Sequence, residues 1–239
     1  MDKNFNLTPP FFEIGPKAYL FGKDVLRLAE FADELCIRYN VPIIFTPQYV
    51  DIPLLTRKTK NLLIFAQHMD SLKIGRGVGS VLPEAIKAAG AVGVLLNHAE
   101  KPLPFDLINQ TIQRADEVGL ASMVCAGNLE EIELVAKMNP NILLAESPEL
   151  IGTGKRGPDD KEAIQKINTL IWGINPEILV LHGAGINCGQ DVYEIISLGA
   201  QATGSTSGII MAEDPFAMME EMIRSAREAW NKLHTSNRR

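Results

Sequence analysis

The sequence predicts an α/β fold in which eight parallel strands close into a single (β/α)8 barrel, and three observations support it. Short apolar runs and longer amphipathic stretches alternate along the whole chain. Runs as apolar as these are typical of strands buried on both faces of a parallel sheet. The length, 239 residues, suits one barrel of this kind. The same alternation of strands and helices is also compatible with an open, doubly wound sheet, which is the alternative fold.

The eight predicted strands are short apolar runs. They span residues 11–14, 43–45, 62–66, 92–96, 121–125, 142–145, 178–181 and 200–203. No linker, low-complexity segment or sequence repeat interrupts the series. Because eight strands with a crossover after each one suit a closed ring better than an open sheet, we expect one barrel domain that spans residues 1–239.

Amphipathic stretches separate most of these strands and predict helices. They span residues 25–39, 83–89, 105–118, 129–138, 161–172, 191–198 and 215–233. In the first of them, Leu28, Ala32 and Leu35 recur at helical spacing with charged residues between them. A proline opens two of the stretches and a glycine follows three, as is common where helices begin and end. The second connection, residues 51–59, holds only one or two helical turns.

Composition and charge exclude several classes of protein. The formal net charge is −6 and no basic block is present, so we expect no nucleic-acid partner. No apolar run reaches membrane-spanning length, and residues 1–10 are too polar for a secretory signal. The three cysteines, Cys36, Cys125 and Cys188, are far apart, which disfavours a disulfide framework and a metal site. We therefore expect a cytoplasmic protein with no bound metal and no membrane partner.

An acidic residue follows the sixth predicted strand. Glu146 comes directly after the apolar run 142–145, at the end of a barrel where active sites lie. A carboxylate at such a strand tip is poorly solvated, which raises its pKa and makes it a usable base. Gly152 and Gly154 then form a loop that can turn N–H groups toward an anion or act as a hinge. Glu149, inside this loop, is expected to hold it by hydrogen bonds.

Other polar residues follow the remaining strands. Lys17 either binds an anionic substrate or is an ordinary loop residue. His98 follows the fourth strand and is a candidate acid or electrophile, since its usual pKa lies near neutrality. His68 is expected to support its loop or an oligomer contact, Cys125 to pack in the core, and His182 to be structural.

Glycine-bearing loops follow the last two strands, at residues 183–187 and 204–208. Loops at these two places commonly bind phosphate in barrels of this kind, through backbone N–H groups at a helix start. Their sequences are Gly-Ala-Gly-Ile-Asn and Gly-Ser-Thr-Ser-Gly. Together with the base at the sixth strand, they predict proton chemistry on a small phosphorylated molecule.

Six segments, in order along the chain, resemble those of the triosephosphate isomerase family, and specifically its short archaeal-type branch. They are FTPQYVD (45–51), AQHMD (66–70), VLPEA (81–85), LLNHAE (95–100), PELIGTG (148–154) and GAGI (183–186). The similarity extends from about residue 14 to residue 215. The segments around His98 and Glu146 are the most specific.

The resemblance implies a role for each matching position. Glu146 would be the base that moves a proton between adjacent carbons, His98 the neutral electrophile that polarises the carbonyl group, and Lys17 the cation near the substrate oxygens. The enzyme would be a cofactor-free aldose–ketose isomerase of glycolysis and gluconeogenesis that interconverts glyceraldehyde 3-phosphate and dihydroxyacetone phosphate. The phosphate site would comprise Ile151, Gly152 and Gly154 of a mobile loop together with Gly183, Gly185, Thr206, Ser207 and Gly208.

Two positions depart from the family pattern. Gly15 stands where the family normally has an Asn whose amide contacts the substrate oxygens, and Ala99 stands in place of a Ser. A glycine supplies no side-chain donor, so part of the stabilisation of the enediolate would be missing. Either water or another side chain takes over this contact, or the pocket accepts a longer ketose phosphate such as a four-carbon sugar phosphate.

Two further alternatives remain at this level. One is a phosphate-binding barrel with other chemistry, such as a lyase or synthase, and the other is a sensor that binds a sugar phosphate with weak or no turnover. The resemblance also implies a homodimer or a homotetramer, with residues 71–80 as the expected subunit contact.

Overall fold

Eight parallel strands form a closed ring in the computed structural model, which describes residues 1, 5–146 and 160–236. The strands follow chain order around the ring, and each is parallel to both of its neighbours. The ring closes where β1 (Phe11–Ile14) pairs with β8 (Ala202–Ser205), from Phe11 opposite Ala202 to Ile14 opposite Ser205. The predicted (β/α)8 barrel is confirmed, and the open sheet is excluded.

The other six strands lie close to their predicted positions. They are β2 (Ile43–Phe45), β3 (Leu63–Ala66), β4 (Gly93–Leu96), β5 (Ala121–Ala126), β6 (Ile142–Ala145) and β7 (Leu179–His182). The predicted bounds of β8 were wrong, because the strand begins at Ala202 and continues through Gly204 and Ser205. Its sequence, Ala-Thr-Gly-Ser, is small rather than apolar, so composition does not mark its end.

Helices cover the outside of the ring. They are α1 (Gly22–Tyr39), α2 (Ile52–Lys58), α3 (Pro83–Ala88), α4 (Phe105–Val118), α5 (Leu129–Lys137), α6 (Asp160–Ile174), α7 (Gly189–Ser197), α8 (Ser207–Ile210) and α9 (Pro215–Ser236). A 3-10 turn, Tyr49–Asp51, precedes the short α2. The sequence pattern missed α8, because four residues are too few to show a helical period. None of the helices among the described residues is both long and apolar enough to cross a membrane.

Sequence features explain where helices end and which face they bury. In α1, Val25, Leu28, Ala32 and Leu35 are buried against the barrel, at the spacing of one helical face. The helix α4 stops at Gly119, whose φ of 72° is left-handed. Glycine adopts that conformation without a steric penalty, so the chain turns there toward β5.

The interior of the barrel is solid at its N-terminal end. Fully buried side chains of Phe11, Ile44, Phe65 and Ile142 fill it. Gly93 is required for this packing, because a Cβ at that position would lie 2.3 Å from the ring of Phe65. A filled N-terminal end leaves the C-terminal ends of the strands as the open end of the barrel.

Candidate active site

A cavity of about 480 Å³ lies at the C-terminal ends of the strands. Residues from all eight strands or the loops that follow them contribute to its wall. Its apolar lining includes Leu95, Met123, Leu144 and Leu181 from four neighbouring strands. The sequence-predicted residues that line it are Gly15, Lys17, His98, Glu146, Gly183, Gly185, Thr206 and Ser207.

Glu146 extends strand β6 by one residue. Its backbone N–H donates to the carbonyl oxygen of Ala126 at 3.1 Å, so the strand pairing continues to the edge of the cavity. The side chain is 14% exposed. Gly183 leaves room for it, because a Cβ there would lie 3.1 Å from the Glu146 Oε1 atom. The strand register therefore presents a half-enclosed carboxylate to the cavity.

His98 lies on the same cavity, with Nε2 3.7 Å from Oε2 of Glu146. Its Nδ1 atom accepts a hydrogen bond from the backbone N–H of Glu100 at 3.1 Å. A backbone N–H can only donate, so Nδ1 carries no proton and the proton of the neutral ring is on Nε2. Burial, followed by the charge of Lys17, lowers the pKa of His98. The ring is therefore a neutral donor that faces the cavity.

Asn97 holds the turn that precedes His98. Its φ is 58°, in the left-handed region that Asn tolerates better than most residues. The side-chain amide donates to the carbonyl oxygen of Cys125 at 3.0 Å, and its oxygen accepts from the N–H of Leu103 at 3.0 Å. These two bonds connect the loop after β4 to strand β5 and fix the position of the imidazole.

Lys17 also has a left-handed backbone, with φ of 48°. Its carbonyl oxygen accepts hydrogen bonds from Nε2 of Gln48 at 2.8 Å and of Gln67 at 3.0 Å, and these bonds hold the strained residue in place. Its Nζ atom lies 2.6 Å from Oε1 of Glu100. Because Glu100 is 59% exposed, this ion pair contributes little to stability, and an anion can compete for the ammonium group.

Glu13 is a residue of the cavity that the sequence analysis did not select. It lies on β1 and lines the cavity, and its Oε1 atom accepts a hydrogen bond from Oγ1 of Thr46 at 2.9 Å. Burial raises its pKa to about 7, Thr46 and Lys17 act in the opposite direction, and the charge of Glu146 adds to the rise. A signal was present, since Glu13 is the one charged residue in an apolar strand, two residues after the buried Phe11.

The space beside Gly15 is filled by oxygen atoms. A Cβ at this position would lie 2.9 Å from Oε1 of Glu13, 3.2 Å from Oγ1 of Thr46 and 3.3 Å from Oγ1 of Thr206. The missing side chain at residue 15 therefore does not enlarge the cavity, because the carboxyl group of Glu13 occupies that volume.

The loops after β7 and β8 form the part of the wall between Glu146 and Gly15. Oγ of Ser205 donates to the carbonyl oxygen of Ile186 at 2.8 Å and joins the two loops. Helix α8 begins at Ser207, and the first N–H groups of a helix have no acceptor within it. Gly208 lies behind the cavity wall, where a Cβ would meet the carbonyl oxygen of Ile186 at 2.6 Å. This wall is suited to an anion.

The remaining candidates lie at the edge of the cavity or away from it. Nε2 of His68 is 3.3 Å from Oδ1 of Asp70 in the loop after β3. Cys125 packs inside the barrel, and burial raises the pKa of its thiol. Nε2 of His182 contacts Oδ1 of Asn168 on α6 at 2.8 Å, outside the strand ring. The part of the chain that the structure describes holds no group of three potential metal ligands. Ile151, Gly152 and Gly154, together with Glu149, lie outside the described residues.

Comparison with known proteins identifies relatives over nearly the whole chain. A family model described as "Triosephosphate isomerase" matches residues 17–221. The triosephosphate isomerase of Methanobacterium bryantii is 37% identical over 217 residues, which cover 90% of this chain and 96% of the relative. That of Sulfurisphaera tokodaii is 35% identical over 226 residues, covering 93% and 98%. That of Sulfolobus acidocaldarius is 34% identical over 230 residues, covering 95% and 99%.

Proposed function

Since this chain belongs to the triosephosphate isomerase family, we propose that it interconverts glyceraldehyde 3-phosphate and dihydroxyacetone phosphate through an enediolate. The family identifies it as an isomerase, an intramolecular oxidoreductase, with a small phosphorylated sugar as substrate. The proposed reaction moves one proton between two adjacent carbons. It requires a base beside the carbons and hydrogen-bond donors beside the oxygens.

Glu146 is the base in this proposal. Its ionised carboxylate takes a proton from the carbon next to the carbonyl group, the C–H electron pair forms the C=C bond, and the carbonyl π pair moves onto oxygen. The protonated Glu146 then returns the proton to the neighbouring carbon, which regenerates the carboxylate. The half-enclosed position of the side chain, with the room left by Gly183, supports this role.

His98 is the electrophile. From Nε2 it donates to the substrate oxygen that gains negative charge, and it exchanges a proton with the adjacent hydroxyl so that the carbonyl group changes carbon. The observation that carries the proposal is the N–H of Glu100 on Nδ1, which leaves the proton on Nε2, 3.7 Å from the Glu146 carboxylate. A neutral imidazole acts here as donor without repelling Lys17, the nearby cation.

Lys17 and the loops after the last two strands bind the anionic parts of the substrate. The ammonium group of Lys17 leaves its exposed partner Glu100 for the substrate oxygens and phosphate. In our proposal, the backbone N–H groups around Gly185 and Thr206 to Gly208 donate hydrogen bonds to the phosphate oxygens. By resemblance, Ile151, Gly152 and Gly154 contribute to the same site.

The test is an isomerase assay with both triose phosphates, together with proton exchange in deuterated water. We expect turnover in both directions and deuterium at the reacting carbon. Glu146→Gln should lower kcat by a factor of about 10²–10⁴, the usual contribution of a positioned base. The matched control is Glu228→Gln, an exposed carboxylate on α9 that should leave kcat unchanged. Binding of the trioses without exchange would overturn the proposal and indicate a sensor.

A four-carbon ketose phosphate is the second candidate substrate, since Gly15 departs from the family pattern. The carboxyl group of Glu13 occupies the space that this glycine leaves, which favours the smaller substrate. We therefore expect a higher kcat/KM for the triose phosphates than for erythrulose 4-phosphate. The opposite order would assign the longer sugar phosphate as the substrate.

A further inference from the structure

The carboxyl group of Glu13 lies inside the barrel between two glycines. In the strand register, Glu13 is opposite Gly204 of β8 and Ile44 of β2. A Cβ at Gly204 would lie 2.9 Å from its Oε2 atom, and a Cβ at Gly15 would lie 2.9 Å from its Oε1 atom. The barrel therefore has room for this acid because both flanking positions lack a side chain.

The hydrogen bonds of Glu13 are unequal at its two oxygens. Thr46 donates to Oε1, and among the described residues no donor reaches Oε2. The charges of Glu146, after β6, and Lys17, after β1, act on the carboxyl group of Glu13. The charge of Glu13 in turn acts on the thiol of Cys125 on β5. The ammonium group of Lys17, whose charge acts on Glu13, is already paired with Glu100, so it offsets the negative charge at Glu13 only in part. Burial and the like charge of Glu146 both favour the neutral acid, with a pKa of about 7.

We propose that Glu13 acts as a neutral carboxylic acid whose Oε2 hydroxyl donates a hydrogen bond to the substrate oxygen that becomes charged in the enediolate. This inference rests on the proposed isomerase activity. Glu13 keeps its proton throughout, so no bond is made or broken at this residue and the proton balance of the reaction is that of Glu146 and His98. A preorganised donor aimed at a developing negative charge stabilises the transition state more than the ground state.

Substrate binding favours the protonated form of Glu13 further. The phosphate group brings negative charge into the cavity, and the enediolate adds more. Each of these charges raises the pKa of Glu13 further above its value in the free enzyme. Deprotonation should therefore limit kcat/KM at a lower pH than it limits kcat, because the former reports the free enzyme and the latter the complex.

The test compares Glu13→Gln with Glu13→Val. Glutamine keeps the shape and an N–H donor but does not titrate, whereas valine removes the donor. For the wild type we expect kcat/KM to fall as the pH rises above about 7. We expect kcat of the valine variant at pH 6 to fall by a factor of about 10², as for loss of one such donor. Glutamine should recover most of this loss and should abolish the decline above pH 7.

Two further measurements test the protonation state of Glu13 and the folding of the variants. Infrared difference spectra of the wild type should show a protonated-carboxyl band near neutral pH that is missing in Glu13→Gln, and thermal unfolding should show that both variants fold. If Glu13→Gln lowers kcat as much as Glu13→Val does, or if kcat/KM of Glu13→Gln still falls above pH 7, the inference is wrong. A wild type without isomerase activity overturns the proposed function, whereas an active wild type unaffected by Glu13→Val overturns only the role of Glu13.

Discussion

Gly15→Ala should destabilise the protein only when Glu13 is present. A Cβ at residue 15 would lie 2.9 Å from Oε1 of Glu13, so the carboxyl group must move and its bond to Thr46 must lengthen or break. Overpacking of this kind costs about 1–3 kcal/mol. Replacing a glycine stabilises by about 0.4–1 kcal/mol through the unfolded chain, because the φ of Gly15 is not left-handed. The net expected loss is about 1–2 kcal/mol.

In a Glu13→Ala background the 2.9 Å contact is gone, and the remaining neighbours of the new Cβ, Oγ1 of Thr46 at 3.2 Å and of Thr206 at 3.3 Å, need to shift by only a few tenths of an ångström. The same change should then be neutral or stabilising by about 0.4–1 kcal/mol. The difference between the two backgrounds, a coupling of about 1.5–3 kcal/mol, is typical of residues in direct contact. Urea unfolding at one protein concentration measures it, since concentration affects the stability of an oligomer. Gly173→Ala is the matched control, because a Cβ there meets nothing within 4 Å. If Gly15→Ala had the same effect in both backgrounds, Glu13 would not be what fills this space.

Three further outcomes are expected. Asn97→Ala should lower the free energy of unfolding, measured with urea, by about 1–3 kcal/mol, because alanine is strained at a φ of 58° and both hydrogen bonds of the amide are lost. In the isomerase assay kcat should fall as well, because His98 is no longer held in position. The free energy of unfolding of the wild type should fall between pH 4.5 and about 7 relative to that of the Glu13→Gln variant, because over that range Glu13 has lost its proton in the unfolded chain and keeps it in the folded chain. Urea unfolding at pH 4.5 and pH 8 should show a difference of about 3 kcal/mol between the two pH values for the wild type relative to the variant. Equal pH profiles for the two proteins would refute this prediction. Replacing Ile74 and Val78 together with Asp should lower the mass measured by light scattering, because both side chains are exposed in the expected subunit contact; an unchanged mass would place that contact elsewhere.

Local sequence patterns predicted most of the fold. Strands β1, β2 and β6 and helix α4 have the bounds that were predicted, because each is an apolar run or an amphipathic stretch closed by a turn residue. The prediction was wrong at β8, whose small residues carry no apolar signal, and it missed α8, which is shorter than two helical turns. In both places the neighbouring elements, rather than local preference, define the backbone.

The candidate site was predicted in part. Glu146, His98 and Lys17 line the cavity, as their positions after β6, β4 and β1 led us to expect, whereas their roles come from the family resemblance and stay predictions. Glu13 was missed because it lies within a strand, where a charge is expected to point outward. The alternation of faces along β1, with the buried Phe11 two residues earlier, was a signal that its side chain points inward. Its neighbours, in contrast, depend on which residues of β2 and β8 are opposite it.

The order of the elements and the polar residues at the strand ends follow from the sequence alone, since hydrophobic periodicity is a local property. The partners of each side chain were decided by closure of the ring, because the register between strands distant in sequence determines which atoms meet. The pairing of His98 with Glu146 and the enclosure of Glu13 between Gly15 and Gly204 are results of that register.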